Sequence, residues 1–292
     1  MSVFSPVTLR NGHQVRLQYV YLFFFVLLHA CAALAFLPAF FSWSALLVFA
    51  VTYYLSGAIG VTLCFHRLLT HRSFHTSKTL EYVMTFLGTL AWQGSPTKWV
   101  GTHRLHHAAS DQPEDPHSPR DGFGWSHVFW ILHSGHPGQD PRTAALDLAR
   151  DPFHRFLDRF WWVPQLILGV ALYFMGGWSW VLWGVVVRTV ILYHATWFVN
   201  SAAHTWGYRN FPTHDDSCNN WWVALLSFGE GWHNNHHAQQ RSAAHGMRWY
   251  EVDLTYLTIL LLRKVGLAWK VVPPQRPAAA ESLPHAQPEM NS

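Results

Sequence analysis

The sequence predicts an all-α integral membrane protein: four transmembrane helices arranged as two hairpins, carrying a cytoplasmic helical cap that holds a di-metal site. Three observations predict it. Only 12% of the 292 residues are charged while 50% are apolar, about half the charge of an ordinary soluble domain. The apolar residues fall into blocks long enough to cross a hydrocarbon layer of roughly 30 Å. The 21 histidines outnumber the 20 lysines and arginines together, and many of them are clustered. This composition excludes a disordered or collagenous chain. Despite a net charge of +4, the basic residues form no run that would track phosphates, so nucleic-acid binding is excluded as well.

The first span is expected at residues 17–41. Arg10 and Arg16 precede this apolar run and no small-residue cleavage site follows it, so it reads as a retained span and not a signal peptide. The second is expected at residues 43–65, also without Lys, Arg, Asp or Glu. Between Phe160 and Tyr208 the single charge is Arg188, and Gly176-Gly177 offers a turn. This block therefore divides into spans at 161–175 and 178–200. The stretch from Leu80 to Trp92 is too short to cross comfortably and contains Glu81, so it reads as an interfacial or buried helix.

Four spans place the N-terminus, residues 66–160, residues 204–271 and the tail beyond them on one side. All Lys and Arg except Arg188 lie there, which makes that side cytoplasmic and puts both termini in the cytoplasm. Arg188, costly at membrane depth, either snorkels or faces a polar interior. Residues 1–271 read as one domain and 272–292, rich in Pro and Ala, as a disordered tail. Cys31, Cys64 and Cys218 form no paired motif and read as packing residues. A soluble helical bundle would leave both the span-length blocks and the one-sided charge as coincidences.

Nine histidines carry the pattern: His66-Arg-Leu-Leu-Thr-His71, His103-Arg-Leu-His106-His107, Asn200-Ser-Ala-Ala-His204 and His233-Asn-Asn-His236-His237. On a helix, positions i, i+3 and i+4 share a face, so each HxxHH string aims three imidazoles at one region. Positions five apart diverge by about 140° on an α-helix, so His66 and His71 fit less easily. The four-span topology brings all nine to the cytoplasmic membrane face; a crossing at 80–92 would separate the first two clusters. Nine imidazoles exceed the needs of one ion, and two ions are implied. Iron, copper, zinc and nickel all suit imidazole, and the lack of Cys ligands disfavours a closed structural zinc site. The other histidines, His13, His29, His75, His117, His127, His133, His136, His154, His194, His214, His245 and His285, read as bystanders.

On these four strings, together with Gly229-Glu230-Gly231-Trp232, the sequence resembles the membrane-bound fatty acid desaturases, specifically the Δ9 branch of stearoyl-CoA and bacterial or cyanobacterial acyl-lipid desaturases. The resemblance runs from about Val61 to Leu267. It implies an O2-dependent di-iron enzyme that introduces a cis double bond at Δ9 of an acyl chain carried on CoA or a glycerolipid. The nine histidines would be the iron ligands, with Asn200 engaging one iron through water. Gln93, Trp99 and Thr196 correspond to the residues that kink the acyl tunnel beside the metals. Asp111, Glu114, Asp115 and Glu230 are candidates to accept the free imidazole N–H groups.

Animal acyl-CoA enzymes carry Arg-Asp before the second string, where this chain has Gly101-Thr102, so a glycerolipid carrier is at least as well supported. No block is spare for a fused haem domain, and His136-Pro137-Gly138-Gln139 reads as a turn. The donor is expected to be a separate ferredoxin, rubredoxin or cytochrome b5 type protein. Two other readings share the metal pattern. One is a di-iron lipid or alkane hydroxylase or ketolase; the other is a His-rich membrane metal transporter, disfavoured because the spans hold no carboxylate.

Overall fold

The computed structural model of the chain describes residues 7–10, 12–134 and 140–275. The His136 turn, His285 and the tail from 276 onward lie outside the described residues.

The chain is helical, with two apolar helices of membrane length. Helix α1 (Tyr19–Leu34) is apolar apart from His29 and ends ahead of a short 3-10 turn at Pro38–Phe40. The expected span 17–41 is thus a 16-residue helix plus a turn, because Pro38 cannot donate to a continuing ladder. Helix α2 runs 28 residues from Trp43 to Thr70. It starts where the Ser42 side chain accepts from Ala45 N–H, satisfying one of the first-turn donors. From Tyr54 onward its turns widen to i→i+5 hydrogen bonding, and nearly every side chain there is buried.

Helix α3 (Lys78–Thr89), capped by Ser77, is the short apolar stretch that was not expected to cross. It lies backbone to backbone against α2: a Cβ added at Gly60 would sit 2.4 Å from the Gly88 Cα. Helix α4 (Pro96–Ala108) has Ser95 as cap and Pro at its first position, the residues a helix start favours. Helix α5 (Pro152–Phe160) is capped by Asp151. Helix α6 (Val163–His204) covers 42 residues and is broken at Gly176 and Gly177, the latter at φ 63°. That break lies where the sequence offers a turn, and it divides α6 into two arms. Helices α7 (Trp221–Leu226), α8 (His233–Ala238) and α9 (Leu254–Lys264) complete the cap.

Arg188 does not snorkel. It is fully buried and donates to the carbonyls of Gly184 and Leu90 and, at 2.8 Å, to Gln165 Oε1. It therefore ties the second arm of α6 to the first arm and to the end of α3. Three short strands (β1 Val7–Thr8, β2 Gln14–Leu17, β3 His133–Ser134) form an antiparallel ladder at the cap edge. They are too short for a period-two pattern to show in the sequence. The packed chain extends past residue 271: Val272 N–H donates to Ser73 O, and its carbonyl accepts from Ala243 N–H. Beneath the site lies an apolar core that includes Leu63, Phe65, Phe74, Met84, Val100 and Ile259.

Candidate metal centre

All nine patterned histidines meet in two adjoining groups. One contains His66, His71, His103, His107 and His236; the other contains His106, His204, His233 and His237. Within each group one ring nitrogen per residue lies within 4.8 Å of the others. His236 is central to the first, its Nε2 being 3.1 Å from His66 Nε2 and 2.9 Å from His107 Nε2. In the second, His233 and His204 approach at 3.0 Å through Nε2. The groups abut, with the His107 and His237 rings 4.7 Å apart.

The local folding explains the convergence. The wide turns of α2 place residues five apart on one face: His71 N–H donates to His66 O, and the two rings lie 4.8 Å apart. In α8 the three histidines point inward, while the intervening asparagines anchor the helix. Asn234 Oδ1 accepts from the N–H groups of Asn210 and Phe211. Asn235 donates to His245 O and Glu251 Oε2, both at 2.8 Å. Gly231 permits the approach of α7, since a Cβ there would lie 2.1 Å from Ala224 N.

Carboxylates orient the rings. His106 Nδ1 pairs with Asp115 at 2.9 Å, His204 Nδ1 with Asp111 at 3.1 Å and His237 Nδ1 with Asp215 at 2.7 Å. Glu230 Oε2 lies 2.6 Å from His66 Nδ1. A carboxylate on Nδ1 leaves Nε2 as the free donor atom, the usual arrangement behind a metal-bound imidazole. His237 Nε2 and His71 Nε2 are buried and meet no protein partner among the described residues. An all-imidazole donor set with orphaned nitrogens fits a late first-row transition metal, iron among them.

Asp111, Asp115 and Glu230 thus lie against imidazoles, whereas Glu114 is exposed and touches no ring among the described residues. Asp215 was missed, because no spacing distinguishes it within its polar loop. Two of the histidines read as bystanders lie close against the site. His117 is buried beside Asp115, and His245 is buried 3.1 Å from Glu230 Oε2. Their single positions carry no helical pattern. A third departure lies apart from the site: His29, His194 and His127 form a chain, with nitrogens 3.1 and 2.9 Å apart.

Behind Glu230 stands Arg67, also unmarked in advance. It is fully buried and donates to Glu230 Oε1 (3.0 Å), Asp253 Oδ2 (2.9 Å) and Ala243 O (2.7 Å). Gln93, Trp99 and Thr196 form one hydrogen-bonded line: Trp99 Nε1 donates to Gln93 Oε1, and Gln93 Nε2 to Thr196 Oγ1, each at 2.9 Å. The Trp99 ring lies 5.2 Å from that of His103. Asn200 closes the regular part of α6, half-buried, one turn before His204.

Burial and neighbouring imidazoles push His71, His103, His107, His233 and His236 well below the ordinary imidazole range. Burial also takes His237 down to about 4. For His106 burial opposes the charge, but the Asp115 carboxylate outweighs it and raises the group. Burial alone would raise Asp111, Asp115 and Glu230; their histidine partners hold all three below the usual carboxylate range. At neutral pH most of these rings are neutral, the form that binds metal.

The sign of the pH dependence follows. Below about 6.5 the unfolded chain's imidazoles take up protons that the depressed folded-state groups refuse, so metal-free stability falls by up to about 1.4 kcal/mol per pH unit for each such group. The depressed carboxylates extend that loss below about pH 4. Thermal unfolding of the metal-free protein between pH 7.5 and 4 is expected to show a melting temperature falling continuously; a flat profile would contradict the burial described here.

A family model described as fatty acid desaturase matches residues 41–260. The chain is 49% identical over 265 residues to the sn-1 stearoyl-lipid 9-desaturase of Anabaena variabilis, covering 91% of this chain and 97% of that one. It is 46% identical to the sn-2 palmitoyl-lipid 9-desaturase of Nostoc sp. (strain 36), covering 93% and 97% respectively. It is 44% identical to the icosanoyl-CoA 5-desaturase of Limnanthes douglasii, covering 84% and 70%.

Proposed function

The chain belongs to the fatty acid desaturase family, and from that premise we propose that it is an O2-dependent di-iron desaturase placing a cis double bond at Δ9 of a saturated acyl chain. The observation that carries this reading is the gathering of nine buried imidazoles into two adjoining groups beside the Gln93, Trp99 and Thr196 line. His66, His71, His103, His107 and His236 would hold one iron, and His106, His204, His233 and His237 the other, with Asn200 engaging one through water. Bound iron supplies reductive O2 activation and removal of hydrogen from two adjacent methylenes. The protein's own part is positional. Asp111, Asp115, Asp215 and Glu230 fix the rings, and the Gln93 line would hold the acyl chain in a bend beside them.

Glycerolipid is the favoured carrier. A Cβ at Gly101 would lie 1.8 Å from the Pro141 carbonyl oxygen. No side chain fits where animal acyl-CoA enzymes carry the Arg of their Arg-Asp pair.

The same reading includes four spans, with α1, α2 and the two arms of α6 crossing the bilayer and the site and termini in the cytoplasm. Outward side chains of α1, such as Phe23 and Phe24, are about 60% exposed, as lipid contact requires. Helix α9 leans on α2 through Thr258 to Tyr54 and Thr255 to Thr62. Its exposed face carries Leu254, Leu257 and Leu261, which suits a seat in the cytoplasmic leaflet.

Expression in a host lacking unsaturated fatty acids, followed by positional analysis of intact lipids, tests the function. A 2 Da loss with the double bond at C9 is expected; a 16 Da gain would make the enzyme a hydroxylase. Gln93→Leu removes both hydrogen bonds of the line. It is expected to lower turnover at least about tenfold and to scatter double-bond position, which gas chromatography of the products would reveal; an unchanged product profile would detach this line from the acyl chain.

A further inference from the structure

Two electrons per turnover must reach the buried imidazole groups from water, and the proposed function leaves their entry point open. A solvent-open cavity of about 410 Å³ lies against the first group, with His71 and His107 in its lining beside Arg72, Arg104 and Arg241. Among the described residues no carboxylate lines it. A second cavity, of about 570 Å³, is lined by no histidine of either group; it touches the second group only through Asp111 and mixes Arg10 and Arg120 with three carboxylates, Asp111, Asp121 and Asp216.

The three arginines differ in what holds them. Arg104 is tied to Leu69 O, Ala144 O and Asp147. Arg72 is 63% exposed and shares Asp147 with it. Arg241 is exposed and makes no ion pair among the described residues. Arg72 directly follows His71 and sits at φ 52°, a left-handed conformation that costs a non-glycine residue energy and is held here beside the first group. One shared carboxylate against three guanidinium groups leaves the rim positive.

We propose that this cavity is the docking point of the electron donor, and that the donor is a small acidic one-electron carrier protein. This rests on the desaturase reading. Two reduced carriers are each oxidised by one electron. With two protons from water and the two hydrogens of the methylene pair, O2 leaves as two waters. Carboxylates of the carrier would pair with Arg72 and Arg241, placing its redox centre over His71 and His107. The complementary charge sets orientation and association rate.

The test uses iron-loaded protein in nanodiscs, titrated with a plant-type [2Fe–2S] ferredoxin and, in parallel, with cytochrome b5. For at least one carrier, Arg72→Glu and Arg241→Glu are each expected to weaken binding about tenfold and to flatten its salt dependence. Iron content and single turnover driven by dithionite should stay unchanged. Arg241→Gln, a milder change at an exposed position, should give an intermediate loss, and Lys264→Glu none. Binding within about twofold of wild type for both reversals, equal loss with Lys264→Glu, or no binding of either carrier to wild type would overturn the proposal. A wild-type protein that binds the carrier as described but forms no double bond would sink the desaturase reading and leave the docking site standing.

Discussion

The His236→Ala protein is expected to lose desaturation by at least about a thousandfold, roughly 4 kcal/mol of transition-state stabilisation, and to retain about one iron per chain where wild type holds about two. His236 is the residue to choose because its Nε2 lies within 3.1 Å of the nitrogens of both His66 and His107. It joins a ligand from α2 to one from α4, so its removal opens the first group and leaves the second intact. Iron analysis and lipid profiling of membranes would check both halves. Exposed His214 changed to Ala is the control and should keep full activity. Retained turnover in His236→Ala would break the ligand assignment.

Arg67→Met is expected to cost about 3–5 kcal/mol of stability, because removing one partner of a buried ion pair strands the other charges. Two carboxylates would be stranded, Glu230 at 8% and Asp253 at 4% side-chain exposure. The same substitution frees Glu230, which faces His66, so iron affinity should fall with stability. Thermal unfolding in detergent, followed by tryptophan fluorescence, with iron content measured alongside, would show both losses. Arg67→Lys keeps the charge but not the three-way fork, and should fall between the two. An unchanged melting temperature for Arg67→Met would mean that the triad contributes nothing net.

Much of this is legible in the sequence itself. The apolar blocks, the Gly176-Gly177 break and the HxxHH strings rest on local rules, the length of a span and the 3.6-residue period, which a sequence displays directly. The shortness of helix α3 is also legible, since the apolar run between Leu80 and Trp92 is brief and contains Glu81. Elements that depend on a partner distant in sequence were not legible. Asp215 looks like any loop acid until His237 arrives beside it. His117 and His245 look like strays, and Glu114 looks as promising as Asp115 although it faces solvent.

By itself, the sequence determined the chemistry available: nine imidazoles in four strings, no thiolate pair, and helices apolar enough for a bilayer. The tertiary structure decided how those imidazoles group. His66 and His71, awkward at an α-helical spacing, fall on one face only because α2 widens its turns against α3 at the Gly60 and Gly88 contact. The two HxxHH strings do not each fall within a single group: His106 separates from His103 and His107, and His236 from His233 and His237. That partition is set by which helix packs across from which. Periodicity can place a side chain on a face of its own helix, but only packing between helices settles what that face meets.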